Sequence, residues 1–301
     1  MSQGIIAAKN KESASDHRLT QEELMQGVNQ KTQSALNLDL VNSDDGVQKA
    51  PRYGQELAAQ FLDTIRMGKA VKDLQTALAN LDPDKLKTEL NTDAKRKAFW
   101  INIYNGFGQI YLSTDHFITL SRIQALFYFE KKRFKIAGWR LSLNDVEHGI
   151  LRRSRIWWAR GFLKKWIPSG KERKFRVDIL DPRIHFALNC AAKSCPPIRF
   201  YEADKIEAQL DLASSAYLQA TVHFDAAENR IYLPELFRFF PKDFIGPGFK
   251  PTYRARKRGF VKFLNRYGKF LDPNNVPRIK YEPWDSSSQL ANFHTEVSNS
   301  H

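Results

Sequence analysis

The two cysteines of this 301-residue chain, Cys190 and Cys195, lie five positions apart in one stretch, Asp181-Pro182-Arg183-Ile184-His185-Phe186-Ala187-Leu188-Asn189-Cys190-Ala191-Ala192-Lys193-Ser194-Cys195-Pro196-Pro197. A cysteine nucleophile needs its thiol pKa lowered by a nearby imidazolium or helix N-terminus, then a base and a group that orients the base. The stretch supplies one further member of such a set, His185 as a candidate base. Before the double proline it is apolar enough to be buried, and buried polar groups cost about 1–3 kcal/mol each unless paired. Cys195, after a polar loop and before Pro-Pro, is expected to be exposed at a turn. Cys190, in a more apolar run, is expected to be buried.

Two further motifs carry matching chemistry. Ser142-Leu143-Asn144-Asp145-Val146-Glu147-His148-Gly149-Ile150-Leu151-Arg152 reads as a helix capped by Ser142, with Asp145 closing a capping box. On an α-helix Asp145, His148 and Arg152 share a face, and an Asp below a His can fix an imidazole tautomer. Phe99-Trp100-Ile101-Asn102-Ile103-Tyr104-Asn105-Gly106-Phe107-Gly108-Gln109 is apolar nearly all round, the mark of a helix inside a core. Asn102, Asn105 and Gln109 form one amide stripe on it. That stripe suits either a buried network holding a neighbouring loop or the wall of a site. The candidate catalytic residues are therefore Cys195, Cys190, His148, His185, Asp145 and Glu147. Candidate substrate contacts are Asn102, Asn105, Asn189 and Arg183.

The elements that must position these groups follow from patterning. Residues 1–52, rich in Ser, Gln, Asn, Asp and Lys, cannot bury enough apolar surface to order themselves and read as a disordered or weakly helical lead-in, with a short helix possible near residues 21–28. Leu57, Phe61, Ile65, Val71, Leu74 and Leu78 recur at helical intervals, and Pro83 suits the first turn of another helix. Residues 127–141 alternate like a strand, 208–220 and 260–270 read as helices, 221–233 as a hairpin, and 279–285 as an extended closing segment. From residue 286 the chain turns polar and is expected to fray as a tail to 301. The sum is one α+β domain over 53–285, several helices around a small antiparallel sheet, distantly papain-like in cast.

Composition narrows the partners. The net charge of +14 and the pI near 9.7 favour an anionic substrate or surface. Between residues 131 and 176, 15 Lys or Arg stand against 3 Asp or Glu, interleaved with Trp139, Trp157, Trp158 and Trp166. Residues 155–166 read as a short amphipathic helix for an anionic membrane surface, with Arg152, Arg153, Arg155, Lys164 and Lys165 as its charges. No sequence-specific nucleic-acid signature accompanies them. Two cysteines make no disulfide framework, although a single Cys190–Cys195 bond is open to an oxidising compartment. No secretory signal or apolar span is evident, and a soluble cytoplasmic protein without a cofactor is expected.

On these motifs, together with Ser194-Cys195-Pro196-Pro197, the chain resembles the domain-of-unknown-function 547 family over residues 98–285. Two departures stand out: Ala191 replaces a family glycine after the first cysteine, and Trp284-Asp285-Ser286-Ser287-Ser288-Gln289 replaces a tail close to Tyr-Asp-Trp-Ser-Leu-Asn. The resemblance implies a fold and a site more than a reaction. The chemistry expected is a cysteine-dependent hydrolase or acyl or peptidyl transferase acting on an unknown small molecule or peptide. The alternatives are a non-catalytic membrane-surface or interaction module, and a structural zinc site built from Cys190, Cys195, His148 and His185.

Overall fold

Helix α1 (Tyr53–Arg66) and helix α2 (Lys72–Ala79) form where the apolar residues recur at helical spacing. Helix α3 (Pro83–Glu89) starts at Pro83, with the Asp82 carboxylate accepting the main-chain N–H of Asp84 at 2.9 Å and of Lys85 at 2.8 Å. Helix α4 (Asp93–Thr114) is the buried rod of the domain, with Phe99, Trp100, Ile101 and Ile103 wholly or almost wholly covered. Two glycines let its neighbours close on it. A Cβ at Gly106 would lie 2.6 Å from the Phe61 ring of α1, and one at Gly108 would lie 3.2 Å from the main-chain oxygen of Asn189. The computed structural model describes residues 53–114, 130, 134–156, 159, 162–246, 252–268, 271–272 and 276–294. The lead-in read over 1–52, Trp157, Trp158 and the tail beyond 294 lie outside the described residues.

The single strand expected over 127–141 is instead, in its described part, a hairpin. Strands β1 (Phe134–Ile136) and β2 (Trp139–Leu141) pair antiparallel around Ala137 and Gly138, both at positive φ (49° and 76°), as a two-residue hairpin turn requires. Ser142 and Asp145 cap each other at 3.0 Å, main chain to side chain in both directions, as the sequence implies. The helix they open is a π-helix over Asp145–Leu151 rather than an α-helix. Arg153 and Ser154, at φ 55° and 60°, then turn the chain out of it. Arg155 bridges antiparallel to Lys164, and Ile156 N–H reaches the Leu163 oxygen at 3.0 Å, so the described part of residues 155–166 is a returning loop, not an amphipathic helix. The correction has a local cause, because the N–H groups of Ser154 and Arg155 are already committed to the carbonyls of Gly149 and His148.

Helix α5 (Gly170–Phe175) and a 3₁₀ turn (Pro182–Phe186) lead into the cysteine segment. Helix α6 (Ile206–Thr221), strands β3 (His223–Asp225) and β4 (Arg230–Pro234), and short helices α7 (Leu236–Phe239) and α8 (Pro241–Ile245) follow. Helix α9 (Tyr253–Leu264) and strand β5 (Arg278–Glu282) complete the order. The fold is α+β, as its alternation of helix and strand signals implies. β3 and β4 are antiparallel, whereas β5 joins β4 in parallel, pairing Leu233 with Tyr281.

The apolar side chains gather into two clusters. One surrounds α4 and includes Phe61, Trp100, Phe107, Val146, Ile150, Phe175 and Ile184. The other joins Phe186, Leu233, Phe237, Phe244, Phe260 and Phe263. The 3₁₀ turn gives Ile184 to the first and Phe186 to the second, and His185 stands between them. The polar site is built at that seam.

Candidate functional site

The amide stripe of α4 sets the position of the cysteine segment. Asn105 accepts the Asn189 N–H at 2.9 Å and donates to the Ala187 oxygen at 3.0 Å. Asn102 makes the same two-way bracket with the main chain of Tyr201, at 2.9 and 3.1 Å. Asn189 donates to the Pro196 oxygen at 2.7 Å and accepts the Ala191 N–H at 2.7 Å, which closes the cysteine loop on itself. These three amides are buried and bonded to main chain, so they hold the loops of the site in place. Arg183 lies in a separate ion-pair network. It pairs with Asp181 at 2.7 Å, Asp211 at 2.9 Å and Glu207, beside an open surface groove of about 1070 Å³.

Within the loop the two sulfurs are 3.0 Å apart, both cysteines are free, and the Cys190 N–H lies 3.3 Å from the Cys195 sulfur. Exposure reverses the sequence expectation: Cys195 is buried and Cys190 is partly open. Pro-Pro does not bring Cys195 to the surface, because the adjoining Ser194 oxygen is held by the Tyr217 hydroxyl at 3.0 Å and Ser194 N–H bonds Asp285. The Cys190 thiol is pulled below its ordinary pKa, chiefly by the hydrogen bond from Cys195, against burial and with help from main-chain N–H groups at Ala192 and Cys190. Burial, then the Cys190 contact, pushes the Cys195 thiol well up. Ala191 sits at φ 56°, a left-handed conformation that glycine adopts freely.

Beside the thiols runs a continuous polar chain. The Tyr104 hydroxyl donates to Glu147 at 3.1 Å, and the other Glu147 oxygen lies 3.6 Å from His148 Nδ1. Both cysteine charges reach Tyr104, and the Glu147 charge reaches Cys190. Arg152 donates through Nη1 to His148 Nδ1 at 2.7 Å and through Nε to Asp243 Oδ2 at 2.6 Å. His185 Nε2 also meets Asp243 Oδ2, at 2.9 Å, with its ring stacked on Phe240 at 4.3 Å. Because Arg152 is always a donor, His148 Nδ1 is an acceptor and the neutral ring carries its proton on Nε2. The Asp243 carboxyl is raised by burial but held far below its ordinary range by Arg152 and His185.

Neither histidine hydrogen-bonds to a sulfur, so the imidazole–thiol pair expected from sequence is not formed. Asp145 is not the orienter of His148. It is tied to Ser142 and to Lys171 at 2.5 Å, and the wider π-turn carries it off the His148 face. Arg152 is fully buried in this chain of contacts and is no surface cation, and Lys165 is paired with the buried Glu172 at 2.5 Å. Among the described residues no group of three His, Cys, Asp or Glu side chains is arranged to hold a metal, which leaves the four-ligand zinc set without its geometry. Sequence reading missed Asp243 and Tyr104 as site residues. The only cue for Asp243 was its place after Phe240-Pro241-Lys242.

The chain beyond residue 285 is pinned to the cysteine loop. Lys193 N–H reaches the Ser287 oxygen at 2.8 Å, Gln289 N–H the Ala191 oxygen at 2.7 Å, and Ile198 N–H the Asn292 oxygen at 2.7 Å. Gln109 accepts the Ala291 N–H at 2.8 Å. Residues 286–294 thus form a strap across the loop rather than a fraying tail.

Residues 88–218 match the family model described as protein of unknown function, DUF547. Over that segment the chain is similar to the DUF547 family. The match holds Tyr104, Glu147, His148, Arg152, His185 and both cysteines, whereas Asp243 and the strap come from outside it. Searches of curated proteins and of solved structures return no match. No helix among the described residues is long and apolar enough to cross a membrane.

Burial lowers the His148 pKa to about 4, with Arg152 adding to the effect and Glu147 opposing it. Between about pH 6.5 and 4 the unfolded chain binds a proton at this imidazole that the folded domain refuses. Stability therefore falls as pH drops through that window, by about 3 kcal/mol from this group at 1.36 kcal/mol per unit. Urea unfolding at steps between pH 7 and 4.5 should show the slope, and His148→Gln should flatten it. An unchanged slope in the variant would assign the effect to other groups.

Proposed function

We propose that this domain performs cysteine-dependent acyl transfer or hydrolysis, with Cys190 as the nucleophile. The observation that carries this reading is the asymmetry of the thiol pair: Cys190 is the partly open residue and its thiol is drawn down by the Cys195 hydrogen bond, whereas burial pushes the Cys195 thiol up. Its thiolate attacks an acyl carbonyl, the leaving group departs with a proton, and water or an acceptor nucleophile resolves the thioester. Glu147 is the carboxylate whose charge reaches Cys190, and it takes the thiol proton. The Tyr104 hydroxyl donates to Glu147 and sets its orientation. Asp243, Arg152 and His185 are positioning residues that hold His148 in one tautomer. The excess of positive charge suits an anionic substrate.

The test is alkylation by iodoacetamide from pH 4 to 9, read on each cysteine peptide by mass spectrometry. Cys190 is expected to react with an apparent pKa below the ordinary ~8.5 and Cys195 to stay slow. Faster labelling of Cys195, or two equally slow thiols, would remove the proposed nucleophile. A second reading, a reversible Cys190–Cys195 disulfide, is favoured by the sulfur contact alone. It would show as labelling that requires prior reduction, two thiols having given up two electrons and two protons to an oxidant.

A further inference from the structure

The strap across the cysteine loop is anchored at both ends by aromatic rings and fastened between them by main chain. Trp284 stands edge-on to Phe239 at 6.2 Å and donates its main-chain N–H to Glu235 at 3.1 Å, and Phe293 stacks on Phe200 at 6.4 Å. Between these anchors the loop pairs with the strap as with an added strand. Lys193 and Ser194 donate to the oxygens of Ser287 and Asp285, at 2.8 and 3.2 Å, and Ala191 accepts from Gln289 at 2.7 Å. Ala192 bridges antiparallel to Ser288. Ile198 donates to Asn292 at 2.7 Å and accepts from His294 at 2.8 Å.

The side chains of the same span hold it weakly. Ser286, Ser287, Gln289, Leu290 and Ala291 are exposed. The ion pair of Asp285 with Lys193, at 3.6 Å between exposed groups, is of the kind that contributes little. Ala291 is held at φ 54°, a left-handed conformation that a β-carbon opposes. Segments with few buried apolar contacts and exposed main-chain hydrogen bonds are the ones that open locally. Once the strap opens, the Ala191 oxygen and the Lys193 and Ser194 N–H groups become a short unpaired edge directly after the partly open Cys190. The main chain of an extended peptide fits such an edge, because it repeats the same donors and acceptors whatever its side chains.

We propose that residues 285–292 occupy the binding site of an extended peptide, which displaces the strap and pairs its own main chain with residues 191–198. The closed strap is then an autoinhibitory contact. The bound peptide is the acyl substrate, a step that rests on the reading of Cys190 as nucleophile, whereas the binding itself does not.

The experiment is fluorescence anisotropy of a fluorescein-labelled peptide of residues 285–294, titrated with the full chain and with full-length strap variants. Gln289→Pro removes the N–H that reaches Ala191 while its exposed side chain leaves little else to lose. Weakening the tethered competitor by one hydrogen bond should tighten probe binding about three- to tenfold over the parent. The same change placed in the probe should weaken its binding by a similar factor. Asp285→Ala, which frees Ser287 from its contacts at 2.9 and 2.6 Å, is a second way to loosen the strap and should also tighten binding. Absence of probe binding in all three chains, or equal affinity for parent and both strap variants, overturns the proposal. Iodoacetamide labelling of the same chains separates the two readings. Tighter probe binding beside an unreactive Cys190 supports the peptide site and removes only the thiol chemistry. A reactive Cys190 in chains that ignore the probe removes only the peptide site.

Discussion

Replacing Asp243 by alanine is expected to lower the stability of the domain by about 3–5 kcal/mol, the usual result of breaking one side of a buried ion pair. The Asp243 side chain has no exposed surface, and its Oδ2 takes both the Arg152 and the His185 contact. Without it the Arg152 guanidinium, itself fully buried and with Nη2 already lacking a partner, would keep its charge with only His148 and the Phe240 face beside it. That face lies 4.3 Å from the guanidinium carbon, and cation–π attraction of about 1–2 kcal/mol does not replace a carboxylate. Urea unfolding at pH 7 measures the loss. Asp243→Asn keeps an acceptor for one donor and should cost less, and a double replacement of Arg152 and Asp243 by apolar residues should cost less than Asp243→Ala alone. A loss below about 1 kcal/mol would mean that water reaches Arg152, as in an exposed pair, and the seam between the two apolar clusters would then be wetter than its contacts imply.

What the sequence made legible was what depends on local period. Helix α4 declared itself by being apolar on every side, and the spacing of Asn102, Asn105 and Gln109 identified one face whose amides had to be used; they are used on main chain. The capping box at Ser142 was equally local. The inferences that failed assumed a geometry that period alone does not fix. Asp145 shares a face with His148 only if the helix has the α period, and this segment is wound as a π-helix. Cys195 was read as exposed because Pro-Pro ends a segment, yet a strap some ninety residues later and the hydroxyl of Tyr217 cover that turn. Asp243 stands 91 positions from Arg152 and 58 from His185, so nothing near it in sequence advertises the charge it balances. The strap itself binds mostly through main-chain groups, which every residue has, and so leaves no signature in side-chain pattern.

Cys190→Ser should abolish thiol-dependent acylation, and Cys195→Ala should only slow it. The asymmetry follows from what each sulfur does. Serine at 190 keeps the size and the hydrogen bond but ionises far above neutral pH, so the attacking anion is lost outright. Cys195 attacks nothing in this scheme. It supplies the hydrogen bond that lowers the Cys190 pKa, and it is itself pushed up by burial and by its partner. A hydrogen bond worth about 0.5–1.5 kcal/mol corresponds to a three- to tenfold loss of thiolate at neutral pH. The measurable form is acylation by p-nitrophenyl acetate, trapped and located by peptide mass, with iodoacetamide labelling in parallel. In Cys195→Ala both rates at pH 7 should fall about three- to tenfold and recover as the pH is raised, because the thiolate fraction is restored; a positional defect would not recover. Alanine also leaves a small void beside the loop, so the Tm of each variant belongs beside its rate. A Cys190→Ser protein that still acylates at Cys195 would reverse the assignment. A Cys195→Ala protein that is inactive at every pH, yet folded, would make both sulfurs partners in the chemistry, as a dithiol and not as a nucleophile with its helper.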